Sequence, residues 1–373
     1  MRKTSIILMA AALPMAVQAA NTEFKYGGYI KFDAMVSKYS DGALAAKSAG
    51  RDFYIPAATP TANGDEATQT DFGIKTSRFN FKTTTTLDDG QKVVSFIELD
   101  FLLSGQGDER ISNSYSPRLR HAFFKYGNYT FGQTWTTFMN PAHLPESVDF
   151  LGVSDGTVFA RQAMIRYTNG PLQLALENSE TTVNDGGRVV TDDATLPDVI
   201  VRYNVKSETA DFMVAAIGRQ LAYVDETKDI DEKITRFGFT ASGKIRLGKD
   251  DIKFSVSKGH LGRYVGLNAS NDATLTAEGE LEGNNLLGAY LGVRHFWTDS
   301  VRSSLIASVL RADNHEDAGA GANESSKRFA ANVMWSPAPK MTFGVEASKA
   351  TLKKESGAEG DMKRVHFTAK YAF

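Results

Sequence analysis

The amino-acid sequence predicts an all-β fold: a transmembrane antiparallel up-and-down β-barrel of about 16 strands, with a loop folded inward as a constriction. Three observations support this prediction. Apolar and polar side chains alternate in many segments, short turns alternate with longer loops, and the chain begins with the composition of an export signal. A spanning strand shows lipid only every second side chain, so a mean hydropathy of -0.28 is compatible with a membrane protein.

The first 19 residues are predicted to be a signal peptide that is removed. Arg2 and Lys3 give a positive start, residues 6–17 form an apolar core, and Val17 and Ala19 occupy the positions that a signal peptidase reads. The apolar run is shorter than the roughly 20 residues that a spanning helix needs. We therefore expect residues 20–373 to form one barrel domain in the outer membrane of a Gram-negative bacterium.

Alternation then predicts the strands. In residues 199–205 the side chains of Val199, Val201, Tyr203 and Val205 point one way and the polar side chains between them point the other. The predicted spans are 24–38, 70–86, 92–104, 117–127, 129–135, 159–169, 171–180, 197–206, 210–220, 233–247, 251–264, 286–297, 301–311, 327–336, 341–353 and 362–373. The chain has no cysteine, so a closed sheet rather than disulfides must stabilise it after export.

The connections predict the topology. Seven are short and rich in turn formers, such as residues 88–90 and 127–128, and eight longer ones lie between them, the longest near 39–69. Short turns on one rim and long loops on the other are typical of outer-membrane barrels. Trp297 and Trp335 lie just before short turns, where rings suit a membrane interface. A soluble β-protein is the alternative that the same alternation permits.

Charge within the strands predicts a basic lumen. An arginine facing lipid near the bilayer midplane costs roughly 2–4 kcal/mol, so charged strand residues should face inward. The cations so placed are Lys25, Lys31, Arg78, Lys82, Arg118, Arg120, Arg166, Arg202, Lys206, Arg219, Arg236, Lys244, Arg246, Lys253, Arg294, Arg302, Arg328, Arg364 and Lys370. The acids are only Asp33, Glu98, Asp100, Glu177 and Glu346. Such a wall concentrates anions, although a wet lumen without selectivity is the alternative.

The remaining acids cluster in the loops, for example within residues 225–232. They are either solvated surface or sites for the divalent cations that bridge lipopolysaccharide.

Residues 136–158 are predicted to be the inserted loop. The strand before them is short, and Pro141 and Pro145 stiffen the segment on either side of His143. The loop acids Glu146 and Asp149 are expected to produce a transverse field by facing basic wall residues, such as Arg78, Arg118, Arg120, Arg161 and Arg166. An external loop lying over the rim is the alternative.

These residues carry a resemblance over nearly the whole mature chain. The layout resembles that of the general porins, and several segments are more similar to the DcaP-like porins: FKYGGYIK (24–31), Arg78-Phe79, FGQTW (131–135), Phe138-Met139 and PESVDF (145–150). The resemblance implies a homotrimeric outer-membrane channel for small organic anions, including dicarboxylates. Some relatives carry a coiled coil before the barrel, whereas here the first predicted strand follows the cleavage site, so a function of that extension is not implied.

The expected function is therefore passive, anion-preferring diffusion, with no cofactor and no nucleic-acid partner. The residues expected to line the pore and contact solute are Lys31, Arg78, Lys82, Arg118, Arg120, Arg161, Arg166, Arg202, Arg236 and Arg294, with Pro141, His143, Glu146 and Asp149 on the constriction loop. A non-specific porin or a plugged structural or adhesin barrel are the alternatives.

Two rival chemistries have weak support. An outer-wall hydrolase would need a serine and a histidine together, and only His295 with Ser303 qualifies by alternation. His143 and His366 have no partners at metal-ligand spacing, so no metal is predicted.

Overall fold

The computed structural model describes residues 21–62, 64–103 and 112–373, and these form a closed antiparallel barrel of 16 strands, as predicted. The predicted signal segment, residues 1–19, lies outside the described residues. The barrel strands are β1 (Asn21–Tyr39), β2 with β3 (Ala67–Gly73 and Arg78–Thr86), β4 (Lys92–Asp100), β5 (Arg118–Tyr126), β6 (Tyr129–Trp135), β7 (Arg161–Asn169), β8 (Leu172–Glu177), β11 (Asp198–Lys206), β12 (Ala210–Asp225), β13 (Ile230–Leu247), β14 (Asp250–Gly259), β17 (Asn285–Phe296), β18 (Val301–Asp313), β19 (Asn323–Trp335), β20 (Met341–Lys354) and β21 (Glu359–Ala372).

Closure joins the two ends of the chain. β1 pairs with β21 from Tyr29↔Ala372 to Tyr39↔Met362. On its other side β1 pairs with β3 through its first half and with β2 through its second half. The second barrel strand is thus one strand interrupted at residues 74–77, which brings Ser77 to the backbone of Lys31.

Side chains alternate across the wall as the sequence predicts. Val199, Val201, Tyr203 and Val205 are exposed on the outer surface, where lipid would lie, while Ile200 between them is fully buried. A barrel whose strands were polar on both faces would have no apolar surface for the bilayer. Because only one face is apolar here, that face is the one that meets the bilayer.

The seven short connections lie where predicted, but two longer loops do not exist as such. β12 and β13 continue beyond their predicted ends and meet in a turn of residues 226–229, and β20 and β21 meet at residues 355–358. Polar side chains are tolerated on both faces of a strand that projects into water, so alternation is lost there although the ladder persists. The acidic segment 225–232 is consequently the tip of a hairpin.

A small second sheet, which the sequence analysis did not predict, covers the long-loop end. It comprises β9 (Thr181–Asn184), β10 (Arg188–Thr191), β15 (Ala273–Leu275) and β16 (Leu281–Gly283), and its own apolar core contains Val183 and Leu281. Arg219 of β12 holds it to the barrel by pairing with Asp272 of the cap and Asp198 of β11. Within the described ranges, no helix is long and apolar enough to cross a membrane.

Candidate functional site: the pore and its inserted loop

The segment between β6 and β7, residues 136–160, folds into the barrel and follows its inner wall. Near its start the Met139 carbonyl accepts from Arg202 of β11 (2.8 Å). Farther along, the Leu144 carbonyl accepts from Lys253 of β14 (2.8 Å), and the Val148 carbonyl accepts from Lys31 of β1 (3.0 Å). The loop therefore runs past most of the barrel strands before it turns back to β7.

Proline and glycine positions explain how the loop fits so closely. Pro141 begins a 3-10 turn, Pro141–His143, which the Asn140 side chain caps by accepting from the Ala142 amide (3.2 Å). A Cβ on Gly292 of β17 would lie 2.5 Å from Pro145, and one on Gly156 would lie 1.9 Å from the Ala289 carbonyl oxygen. Real Cβ atoms do not approach so closely, so these glycines permit the contact between loop and wall.

The acids of the loop pair with a different part of the wall from the part predicted. Glu146 accepts from Arg302 of β18 (2.6 and 2.7 Å) and from Arg294 of β17 (3.0 Å). Asp149 lies 3.8 Å from Arg364 and 4.0 Å from His366, both of β21. Both acids face cationic residues of the wall, as expected, but not the expected examples Arg78, Arg118, Arg120, Arg161 and Arg166. Alternation along a strand says which side chains face inward but not which strands an inserted loop will follow.

Electrostatics keep both carboxylates charged. Burial opposes ionisation of Glu146, but hydrogen bonds and charge from Arg302 and Arg294 outweigh it, so the pKa of Glu146 lies below its ordinary value. Burial likewise opposes ionisation of Asp149, and the positive charge of Arg328, His366 and Arg364 lowers its pKa. Each acid is thus a fixed negative anchor.

The most enclosed anchor joins β19, β20 and the loop. Glu346 and Arg328 are each 1 % exposed and are 2.6 Å apart. The Ser147 hydroxyl (2.7 Å) and the Val148 amide (3.0 Å) also donate to Glu346. Arg328 in turn donates to the Gly152 carbonyl. A buried ion pair of this kind is strongly destabilised when one partner is removed.

The first long loop, of which residues 40–62 and 64–66 are described, contacts the inserted loop through Tyr54. The Tyr54 amide donates to Asp149 (3.1 Å), its hydroxyl donates to Asp155 (2.9 Å), and its carbonyl accepts from Ser154 (2.9 Å). Asp155 also accepts from Ser308 of β18 (2.7 Å). Burial raises the pKa of Asp155 above its ordinary value. The sequence pattern did not predict this contact, and its one visible signal is the aromatic pair Phe53-Tyr54 close to Pro56.

On one side of the lumen, four guanidinium groups lie away from the backbone of the inserted loop. This arginine cluster comprises Arg78 of β3, Arg118 and Arg120 of β5 and Arg161 of β7. Arg118 holds Asp100 with two hydrogen bonds (2.7 and 2.8 Å), and Arg120 bridges Asp100 (2.8 Å) and Glu98 (2.7 Å). Four guanidinium groups against these two carboxylates leave a net charge of +2.

Arg161 is the member of the cluster without a carboxylate partner among the described residues. Its guanidinium carbon lies 4.6 Å from the Trp135 ring centre and 5.5 Å from that of Phe159. Its Nη1 is buried and makes no hydrogen bond. The same Trp135 ring lies 5.7 Å from the Arg120 guanidinium, so this ring contacts both arginines, and for Arg161 it takes the place of an acid.

A bulge in the ladder aims two neighbouring side chains inward. The register between β4 and β5 shifts between Glu98 and Leu99, which lets Arg120 and His121 both lie on the buried side. His121 accepts from or donates to Thr134 (3.0 Å) and packs against Trp135. The bulge could not be read from alternation, because it is a departure from alternation.

The other predicted pore residues occupy three environments. Arg166 donates to the Trp135 carbonyl (2.6 Å) and Thr137 hydroxyl (2.7 Å), so it fastens the start of the loop. Arg236 lies 3.4 Å from Glu282 of the cap sheet. Lys82 is exposed and lies opposite Lys25 near the short-turn rim. Lys31, Arg202 and Arg294 all contact the inserted loop, as described above.

The positions of the histidines support neither the hydrolase nor the metal site considered as alternatives. His295 pairs with Asp250 (2.7 Å), while the Ser303 hydroxyl accepts from the Trp297 indole (3.0 Å). His143 is buried against Ser242 (2.8 Å), and burial followed by the charge of Arg202 lowers its pKa to about 4. In the part of the chain that the structure describes, no three His, Cys, Asp or Glu residues form a metal-binding group.

Comparison with known proteins connects this geometry to a family. A family model described as DcaP outer membrane protein matches residues 10–373. No curated protein matches the chain.

Solved structures share the fold. The outer membrane channel DcaP of Acinetobacter baumannii is 22% identical, with a TM-score of 0.79 over 94% of this chain and 97% of its own. An anion-selective porin from Comamonas acidovorans is 10% identical, with a TM-score of 0.57 over 94% and 100% of the two chains. Salmonella typhi OmpF is 12% identical, with a TM-score of 0.58 over 94% and 97%.

Proposed function

Because the chain belongs to the DcaP outer membrane protein family, we propose that this porin conducts small organic anions, such as dicarboxylates, by passive diffusion. The chain is an outer-membrane channel and not an enzyme. Anion preference and the class of solute are the parts that we propose. No covalent step and no cofactor enter the mechanism.

The arginine cluster is the observation that supports anion preference. Its net charge of +2 lies on the side of the lumen that the inserted loop does not line with backbone. Positive charge near low-dielectric walls raises the local concentration of anions. The guanidinium fork suits carboxylates, and one of the structural neighbours is an anion-selective porin.

Transport requires that binding stay weak. Asp100 already occupies two donors of Arg118, whose side chain is 24 % exposed, so a passing carboxylate competes with Asp100 rather than entering an empty pocket. Donors spread over β3, β5 and β7 allow the anion to move from one to the next. The inserted loop narrows the lumen opposite this cluster and so sets the size limit.

The remaining proposals concern export, membrane location and oligomeric assembly. We propose cleavage after Ala19, insertion into the outer membrane of a Gram-negative bacterium and assembly as a homotrimer. One side of the barrel is built from short strands, since β4 to β8 have nine residues or fewer whereas β12 and β13 have 16 and 18. A neighbouring subunit easily covers such a short side, which supports assembly as a homotrimer.

The test is the reversal potential of purified channels in planar bilayers across a KCl gradient. We expect anion preference for the natural chain and a lower preference for the double variant R118Q/R120Q, with dicarboxylates reducing chloride current as blockers. R246Q, at the short-turn rim and paired with Asp211, is the matched control. Cation preference, or equal selectivity in R118Q/R120Q, would contradict the proposal. Negligible conductance would favour a plugged structural barrel.

A further inference from the structure

We propose that the outer surface of β1, β20 and β21 is a binding site for a phosphorylated, multiply acylated lipid of the outer leaflet, the lipid portion of lipopolysaccharide. The site has two parts: a row of three lysines at the long-loop end of these strands and an apolar groove below the row. It rests on the outer-membrane location and is independent of anion conduction.

The lysine row follows from the strand register. Lys38 of β1 lies directly opposite Lys363 of β21, and Lys363 lies directly opposite Lys349 of β20. All three side chains are on the exposed face. Adjacent strands are about 4.8 Å apart, so the three cations fall within about 10 Å of one another.

Like charges placed directly opposite each other destabilise a sheet. Two acids relieve this only in part: Glu66 pairs with Lys38 (2.7 Å) and Asp361 pairs with Lys349 (2.9 Å). Among the described residues, no carboxylate lies within ion-pair distance of Lys363, the central lysine. Lys327 and Arg311 continue the basic edge on β19 and β18, also on the exposed face and also without such a carboxylate partner among those residues. Lys353, Glu359 and Glu324 lie at the level of Arg311, so the whole edge has six cations and four acids, a net charge of +2.

The groove lies directly below the lysines and has a volume of about 840 Å³. Its floor is a patch of small side chains, since Ala331 pairs with Ala347 and Ala307 is on the next strand. Leu305 and Phe329 stand on one side of this floor and Val365 and Val36 on the other, each at least 48% exposed. Small residues flanked by large apolar ones leave room for an acyl chain that a flat wall would not hold.

The height of the lysine row on the barrel indicates that it meets the outer leaflet. Tyr371 lies on β21 near the short-turn rim, eight residues below Lys363. Eight residues of strand rise about 27 Å, or roughly 20 Å in height for a strand tilted by 35–45°. The apolar band of such barrels is about 25 Å tall, so the lysines lie near its upper edge, where phosphate groups of the outer leaflet meet the hydrocarbon.

The lysine row and the apolar groove together indicate an acylated, phosphorylated lipid as the occupant. A free phosphate would use the lysines but not the groove, and an uncharged lipid would use the groove but not the lysines. Only an acylated phosphate uses both. Within the described residues, the outward faces of β3 to β8 near the long-loop rim have no such row, so the site belongs to one side of the barrel.

The experiment is native mass spectrometry of the detergent-solubilised full chain titrated with bisphosphorylated lipid A, its monophosphorylated form and an uncharged galactolipid. We expect tightest binding of the bisphosphorylated form. K38Q/K349Q/K363Q should weaken it roughly a hundredfold, since each basic residue near an anionic lipid contributes appreciably. The matched control is K92Q/K249Q/K340Q, which removes three exposed lysines from the short-turn rim and should bind as the natural chain does.

A second variant tests the groove with all charges present. A331L/A347L fills the floor from its exposed face, so it should fold normally, retain its conductance and bind lipid A several-fold more weakly. Equal binding of lipid A by the natural chain and the triple lysine variant would overturn the proposal, and so would equal binding of the uncharged galactolipid. Lysine-dependent binding of phosphatidylglycerol as tight as that of lipid A would also overturn the assignment to the outer-leaflet glycolipid.

Discussion

The two sides of the lumen use the same residue type for opposite purposes. On β17 to β21 the arginines Arg294, Arg302, Arg328 and Arg364 are engaged by the inserted loop or by acids beside it. On β3 to β7 the arginine cluster contacts two wall acids and aromatic rings, and keeps a net positive charge. The loop thus meets the two groups of arginines differently, with its backbone and acids on one side and with the rings of Phe150 and Phe159 on the other.

The loop acids lie against other strands of the wall than those named as examples in the sequence prediction. Glu146 and Asp149 point away from the arginine cluster, toward the wall on which they are anchored. Their negative charge is paired with guanidinium groups of that wall. Under the proposed function, the arginine cluster is the positive charge that a solute meets.

The largest expected effect comes from breaking the anchored side. E346Q removes the charge that balances buried Arg328 and weakens the acceptor for Ser147 and Val148. We expect a loss of roughly 3 kcal/mol or more in stability, because a buried charge is left without its counter-ion. The loop should also leave the wall, which raises single-channel conductance.

Thermal unfolding in detergent and single-channel recording measure both effects. E324Q is the matched control, because Glu324 pairs with the half-exposed Lys353 near the long-loop rim. If E346Q and E324Q had the same unfolding temperature and conductance, the loop would not depend on this anchor.

A smaller and different effect is expected on the cluster side. R161Q removes a cation without a carboxylate partner, so anion preference should fall roughly two- to fivefold while stability changes little. R166Q, on the same strand, removes hydrogen bonds to Trp135 and Thr137, so it should lower stability more than selectivity.

Reversal potentials and unfolding temperatures of the two variants separate these roles. The comparison between the two sides fails if R166Q changes selectivity as strongly as R161Q does.

The smallest expected effect is a pH dependence of loop docking. The pKa of His143 is lowered to about 4 in the folded protein, below an ordinary value near 6.5. Between these two pH values the undocked loop binds a proton that the docked loop rejects, so docking weakens as pH falls through this window and is unaffected above it. The pKa difference of about 2.5 sets an upper limit of roughly 3 kcal/mol, which solvent screening reduces.

The unfolding temperature should therefore decline from pH 6.5 to pH 4.5 in the natural chain and less steeply in H143Q. H295Q changes an exposed histidine and is the control. Parallel declines in all three proteins would show that His143 does not report loop docking. Below about pH 4 the loss of charge on Glu146 and Asp149 should add a further decline, because their lowered pKa values favour the docked, ionised state.

Much of this architecture was predictable. The strand number, the seven short turns and the inserted segment after β6 follow from local patterns, and the structure confirms them. The cap sheet was not predictable, because β9, β10, β15 and β16 have three or four residues each, too few to show a period. The strand ends of the β12 and β13 hairpin were missed for a related reason, since both faces there meet water.

Period-two alternation and the cost of charge in lipid are local properties, so the sequence alone determined a barrel with an apolar exterior and a basic interior. The partners of each inward charge depended on the path of a loop past strands far away in the chain. Glu146 and Arg302 are 156 residues apart, and no spacing rule connects them. Only the folded structure decided which arginines anchor the loop and which do not, because ion pairing depends on distance in space rather than along the chain.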